Sequence, residues 1–125
     1  MRKAPRLGRV QLEIMRVLWK RGRATAREIT EEMNRTQRTA HSTVQTLLRQ
    51  LQAKGAVTYE VEDRTFVYRP VFEQADVTES ATRDLLKRLF NGSVYGLMAH
   101  LLKHEELSRE ELTRLRELID REEEA

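Results

Sequence analysis

The chain of 125 residues carries 34% charged and 39% hydrophobic side chains, five glycines, two prolines and no cysteine. That length suits one or two small domains and excludes a barrel or a large two-lobed enzyme; the missing thiols exclude disulfides, thiolate zinc sites, iron–sulfur clusters and cysteine nucleophiles. Residues 1–75 hold 15 Lys and Arg against 8 Asp and Glu, a balance of +7, whereas residues 76–125 hold 8 against 12, a balance of −4, as expected if the front alone meets a polyanion.

The start, Met1 to Val10, is basic but leads into no apolar run, which argues against a signal peptide. No stretch approaches the ~18 apolar residues of a spanning helix. The expectation is a soluble cytoplasmic protein without membrane insertion. From Leu7 to Arg21, Leu7, Val10, Ile14, Val17 and Leu18 recur at three- and four-residue steps, the period of an amphipathic helix that Gly22 stops. Thr25-Ala26-Arg27-Glu28 matches a capping box and opens a short helix to about Asn34, with Ile29 and Met33 on its inner face. After the polar turn Arg35-Thr36-Gln37-Arg38, Thr39 is the expected N-cap of a third helix running to Lys54, with Gly55 just past its end.

The period then changes from helix to strand. Val57–Val61 and Thr65–Tyr68 are β-branched and aromatic and flank Glu62-Asp63-Arg64, which predicts a β-hairpin ended by Pro70. Three helices followed by a hairpin is the order of a winged helix-turn-helix. Beyond Asp76 the helical period returns: Val77 to Phe90, a second helix capped by Ser93 after the Asn91-Gly92 break, and a last one opened by the capping box Ser108-Arg109-Glu110-Glu111. The predicted fold is mainly α with a small β-hairpin wing, divided into a DNA-binding domain over 1–75 and a helical dimerisation region over 76–125.

The third helix carries the functional reading. With about 100° per residue, Val44, Leu48 and Leu51 form its buried stripe, and Ser42, Thr46, Arg49 and Ala53 the opposite face, flanked by Gln45 and Gln50. That face is short and polar near the helix start and holds no acidic group. Short side chains let a helix settle into the major groove, where Gln pairs with adenine, Arg with guanine, and a Thr methyl meets a thymine methyl. Ser42, Thr43, Gln45, Thr46 and Arg49 are therefore the candidate base-reading residues. Arg38, His41, Arg35, Arg6 and Arg9 are candidate phosphate contacts. The helix starts at Thr25 and after Thr39 offer free backbone amides for phosphate, and Arg64 is the candidate wing contact despite Glu60, Glu62 and Asp63 beside it. Alternation assigns Tyr59, Phe66 and Tyr68 to the sheet.

The last fifty residues make three short helices rich in Leu, Val, Met and Ile, too few to close a core around themselves. A second copy would cover Leu85, Leu89, Val94, Leu97, Met98, Leu101, Leu112, Leu115 and Ile119, and two copies would read two half-sites about one turn of DNA (~34 Å) apart. His100 and His104, four apart with Glu105 and Glu106 adjacent, have a spacing that can hold a metal but lack a clear third ligand. No nucleophile motif or Gly-rich phosphate loop is present, so neither an enzyme nor a cofactor is expected. The rival reading is a winged-helix protein–protein adaptor that never touches DNA.

The run Leu12-Glu13-Ile14-Met15-Arg16-Val17-Leu18-Trp19, then Ala26-Arg27-Glu28-Ile29, then Ser42-Thr43-Val44-Gln45-Thr46-Leu47-Leu48-Arg49-Gln50-Leu51, resembles the BlaI/MecI family of penicillinase repressors. Tyr68 and Pro70 of the hairpin and Gly92-Ser93-Val94 extend the resemblance, which runs from about Leu7 to Arg121. It implies a homodimeric repressor that binds a dyad-symmetric operator. It also implies release from DNA by a membrane sensor–protease pathway that cuts within the dimerisation helices. Carried over by position, that cut falls near His100-Leu101, where the best-known members have Asn-Phe. A related branch senses copper through C-terminal cysteines, which this chain lacks.

Overall fold

A computed structural model of the chain describes residues 3–125; Met1 and Arg2, the first residues of the basic start, lie outside the described residues. The element order is α1 (Arg9–Arg21), β1 (Ala24–Thr25), α2 (Ala26–Met33), α3 (His41–Ala53), β2 (Val57–Glu62), β3 (Thr65–Pro70), α4 (Gln74–Phe90), α5 (Val94–His104) and α6 (Arg109–Glu124). Among the described residues, six helices and one three-stranded antiparallel sheet, ordered β1-β3-β2, make it mainly α with a small wing. Contacts divide the chain into one unit ending at Thr82 and a second over Arg83–Ala125.

In the first unit, α1, α2 and α3 close over a core whose fully buried side chains include Ile14, Met15, Leu18, Ile29, Val44, Leu48 and Leu51. Each such residue contributes about 1.5–3 kcal/mol on burial, and all but Met15 sit at positions the apolar period marks. Leu7 is a departure: it precedes α1 and packs half-buried on the core, because the helix starts only after Gly8, whose N–H donates to Gln11 Oε1 at 2.9 Å. Gly22, at φ +85°, ends α1 and donates to the Leu18 carbonyl at 2.7 Å, a left-handed position that suits glycine.

The Thr25 capping box forms in full: Thr25 Oγ1 accepts from Glu28 N–H at 3.1 Å, and Glu28 Oε1 accepts from Thr25 N–H at 2.9 Å. The cap expected at Thr39 does not form. Asn34 takes Thr39 instead, its Oδ1 accepting from Thr39 N–H at 3.0 Å and its Nδ2 donating to the Thr39 carbonyl at 2.8 Å. The Thr39 hydroxyl donates to the Gln37 carbonyl at 3.2 Å. Helix α3 therefore starts at His41, with Ala40 in the cap position and no side-chain cap.

The hairpin is longer than its sequence pattern suggests, and Pro70 is its last paired residue, opposite Val57. Its two-residue turn is Asp63-Arg64, both at positive φ, +48° and +67°, the pattern of a type I′ turn. The third strand, β1, is two residues long and pairs Ala24 with Tyr68 and Thr25 with Val67. So short a segment has no sequence periodicity to announce it.

In the second unit, Asn91 and Gly92 end α4 at φ +52° and +82°. Ser93 caps α5 by accepting from Gly96 N–H at 2.9 Å, and Ser108 caps α6 by accepting from Glu111 N–H at 3.0 Å. No residue of α5 or α6 is buried. Among the described residues, no helix is long and apolar enough to cross a membrane.

Candidate nucleic-acid interface

The buried stripe of α3 is Val44, Leu48 and Leu51, and Ser42, Thr43, Gln45, Thr46, Arg49, Gln50 and Ala53 are all exposed. No Asp or Glu occurs between Glu32 and Glu60, so the outward face of α3 and the turn before it carry only neutral and basic groups. Arg49 Nη2 donates to Thr46 Oγ1 at 3.3 Å, which holds the guanidinium along the helix surface. Thr43 and Val44 N–H both donate to the Ala40 carbonyl, whereas His41 and Ser42 N–H precede the first intrahelical bond. The uncapped start of α3 thus presents amides and hydroxyls together.

A cleft of about 610 Å³ lies between α3 and the wing. Its walls are Thr25, Ala26 and Arg27 from the start of α2, His41, Gln45 and Arg49 from one ridge of α3, Arg64 from the turn, and Thr65, Phe66 and Tyr68 from β3. No carboxylate lines it. Among the described residues, Arg27, Arg38, Arg49 and Arg64 make no ion pair, in contrast to Arg9, 3.9 Å from Glu13, and Arg35, 3.5 Å from Glu32. Three of these guanidiniums, Arg27, Arg49 and Arg64, line the cleft.

Cross-strand register turns Glu60 and Glu62 away from the aromatic face, while Asp63 stays beside Arg64 in the turn. Tyr59 opposite Tyr68 and Val61 opposite Phe66 share one hairpin face, and Glu60 and Glu62 lie on the other. There Glu62 is 2.6 Å from Arg23 Nη2 and Glu60 is 3.4 Å from Arg69 Nη2. The carboxylates are neutralised away from the aromatic face. On that face the Tyr59 and Phe66 rings stack at 4.3 Å, and Phe66 stays 46% exposed. Burial, then the neighbouring Tyr59, pushes the Tyr68 phenol above the usual tyrosine range, with Arg49 opposing; Tyr68 therefore remains a neutral O–H at physiological pH.

Of the residues expected from sequence, the cleft collects Thr25, His41, Gln45, Arg49 and Arg64. Ser42, Thr43 and Thr46 continue the same exposed helix surface, Arg38 stands exposed in the α2–α3 turn, and Arg9 opens α1 without lining the cleft. The cleft adds Arg27, which the sequence reading passed over, and Phe66, which it assigned to the sheet alone. A signal for Arg27 was available: an arginine in the first turn of a helix opposes the macrodipole, so it asks for a reason outside the helix. The Phe66 exposure follows only from the hairpin's position.

The second unit presents a different surface. Leu85, Leu89, Val94, Leu101 and Ile119 are exposed at 39, 66, 63, 37 and 53%, and Leu97, Met98, Leu112 and Leu115 are half-buried. Leu102, Leu118 and Tyr95 enlarge the apolar surface beyond the expected set. His100 stacks edge-on against Phe90 and lies 4.5 Å, ring to ring, from His104. No group of three or more possible metal ligands occurs among the described residues.

Comparison with known proteins agrees with this architecture. The family model described as "Penicillinase repressor" matches residues 7–121. The penicillinase repressor of Bacillus licheniformis is 32% identical over 120 residues, covering 96% of this chain and 94% of the relative. The methicillin resistance regulatory protein MecI of Staphylococcus aureus is 24% identical over 109 residues, covering 87% and 89%. The solution structure of the Bacillus licheniformis BlaI monomeric form in complex with the blaP half-operator aligns at a TM-score of 0.52 and 36% identity, covering 61% of this chain and 93% of that one. On a family model spanning most of its length, and a relative matched almost end to end, the chain belongs to the penicillinase repressor family, regulators rather than enzymes.

Proposed function

We propose that this protein is a dimeric, sequence-specific repressor that reads a dyad-symmetric DNA operator. The single observation that carries the reading is the acid-free outward face of α3 opening into a cleft ringed by arginines without ion pairs. In this reading α3 enters the major groove, where Gln45 and Arg49 meet base edges and Ser42, Thr43 and Thr46 meet bases or the adjoining phosphates. Arg38, His41, Arg64, Arg27, the Ala26 and Arg27 amides that follow the Thr25 cap in α2, and the amides that start α3 at His41 hold the backbone and set the register, with Arg9 outside the cleft as a flanking cation. A relative from the same family observed on a half-operator supports DNA as the partner.

The exposed apolar surface of α4, α5 and α6 supports a second copy as the other partner. Leu89, Val94 and Ile119, each more than half exposed, form the kind of surface that a closed two-fold pairing removes from water. Two protomers then place two recognition helices on successive turns of one DNA face. Release by a membrane sensor–protease would have to act within this region. At His100-Leu101 the backbone is in mid-α5, so a protease would need that helix unwound before the bond could enter an extended substrate cleft.

A mobility-shift assay with promoter DNA from beside the protein's own gene, run as a salt series, tests the proposal. Phosphate-driven binding weakens steeply as salt rises, log affinity falling linearly with log salt concentration. An absence of any shift at every salt concentration would remove the DNA reading and favour a protein–protein adaptor.

A further inference from the structure

One hydroxyl in the interface has two partners and a single hydrogen. Thr30 Oγ1 lies 2.8 Å from the Ala26 carbonyl, which can only accept, and 3.0 Å from His41 Nδ1. Both contacts are satisfied together when the hydroxyl donates to Ala26 and the imidazole donates from Nδ1. In that arrangement the neutral ring carries its hydrogen on Nδ1. The remaining nitrogen, Nε2, then carries a lone pair when His41 is neutral and an N–H only when it is protonated. His41 is half-buried, opens α3 and lines the cleft.

We propose that His41 is a proton-linked phosphate contact: Thr30 holds Nδ1 protonated, so the ring can donate to a DNA phosphate only as imidazolium, and binding DNA takes up a proton. The inference rests on the DNA-binding reading above. The charged side chains that line the cleft with His41 are all cationic: Arg27 from α2, Arg49 further along α3 and Arg64 from the β2–β3 turn, with the neutral Tyr68 phenol on β3. A phosphate bound beside the ring draws a proton onto Nε2 and accepts from it. The neutral ring aims a lone pair at the phosphate oxygens and repels them.

The test uses the full-length protein and an arbitrary-sequence labelled duplex, since a phosphate contact needs no operator. Anisotropy titrations at low, fixed ionic strength run from about pH 6 to pH 8. Wild-type affinity should fall across this range, by at most about tenfold per pH unit for each bound protomer. His41→Gln should flatten the profile, because the amide donates without titrating; His100 and His104, present in both proteins, cancel from the comparison. Thr30→Val keeps the branched shape but removes the hydroxyl. It frees the neutral ring to carry its hydrogen on Nε2, so binding at the alkaline end should exceed that of wild type. Equal slopes for wild type and His41→Gln would overturn the proposal, as would an Nε2–H tautomer in imidazole-nitrogen NMR of the free protein. Loss of duplex binding at every pH while the Nδ1–H tautomer is seen would instead strike the DNA reading, and the proposal with it.

Discussion

Gln11 Nε2 donates to Gln50 Oε1 at 3.1 Å and joins the start of α1 to the exposed flank of α3. Gln11 is 7% exposed, and its Oε1 accepts from both Gly8 N–H and Lys54 Nζ at 2.9 Å. One buried amide therefore sets the entry of α1 and the angle at which the candidate reading helix leaves the core. Removing it breaks three hydrogen bonds and empties a buried position. Gln11→Ala should cost about 1–3 kcal/mol in urea denaturation, and an unchanged midpoint would show that water replaces all three bonds.

Arg64 occupies the second turn position at φ +67°, where glycine is at ease and a residue with a Cβ costs roughly 1–2 kcal/mol. The arginine is thus held against local preference. Arg64→Gly should raise thermal stability and lower DNA affinity in the same protein. A variant that gains stability with no loss of binding would take the wing out of the interface.

Arg49 should discriminate between sequences. In Arg49→Ala, the difference in affinity between operator and unrelated DNA should shrink by about 1–3 kcal/mol, measured by competition at a stated salt concentration. Equal losses on both duplexes would make Arg49 a phosphate contact only.

The carboxyl of Glu28 is held below the usual glutamate range, first by the Thr25 backbone N–H, with the Thr25 hydroxyl and Arg21 adding to the effect against desolvation. A folded-state value below the unfolded one stabilises the protein above the unfolded pKa and is lost as pH falls through the folded value. Wild type should therefore lose stability relative to Glu28→Gln as pH drops below the ordinary glutamate range of about 4.3. Parallel denaturation curves for the two proteins across acid pH would contradict this.

Leu89 is 66% exposed, whereas Leu115 is half-buried within its own protomer. Replacement of Leu89 therefore probes assembly with least damage to the fold. Leu89→Glu should halve the mass in sedimentation, and operator affinity should fall by roughly a hundredfold through lost bivalency. A dimer of unchanged mass would exclude Leu89 from the interface.

Local rules account for what could be read directly from residue order. The helical period placed Ile14, Val44, Leu48 and Leu51 in the core, hydroxyl chemistry marked the caps at Thr25, Ser93 and Ser108, and the same period turned the acid-free face of α3 outward. These depend on neighbours within about four positions along the chain. Other features arise between distant segments. β1 exists because β3 offers an edge to Ala24 and Thr25, and the α3 cap is lost because Asn34 bonds Thr39 first. Arg27 and Phe66 meet at one cleft from separate elements, and His41 Nδ1 lies 3.0 Å from a hydroxyl eleven positions earlier, across a turn. Hydrogen bonds and burial are assigned by what folding brings within a few ångströms, and no linear pattern encodes that competition among partners.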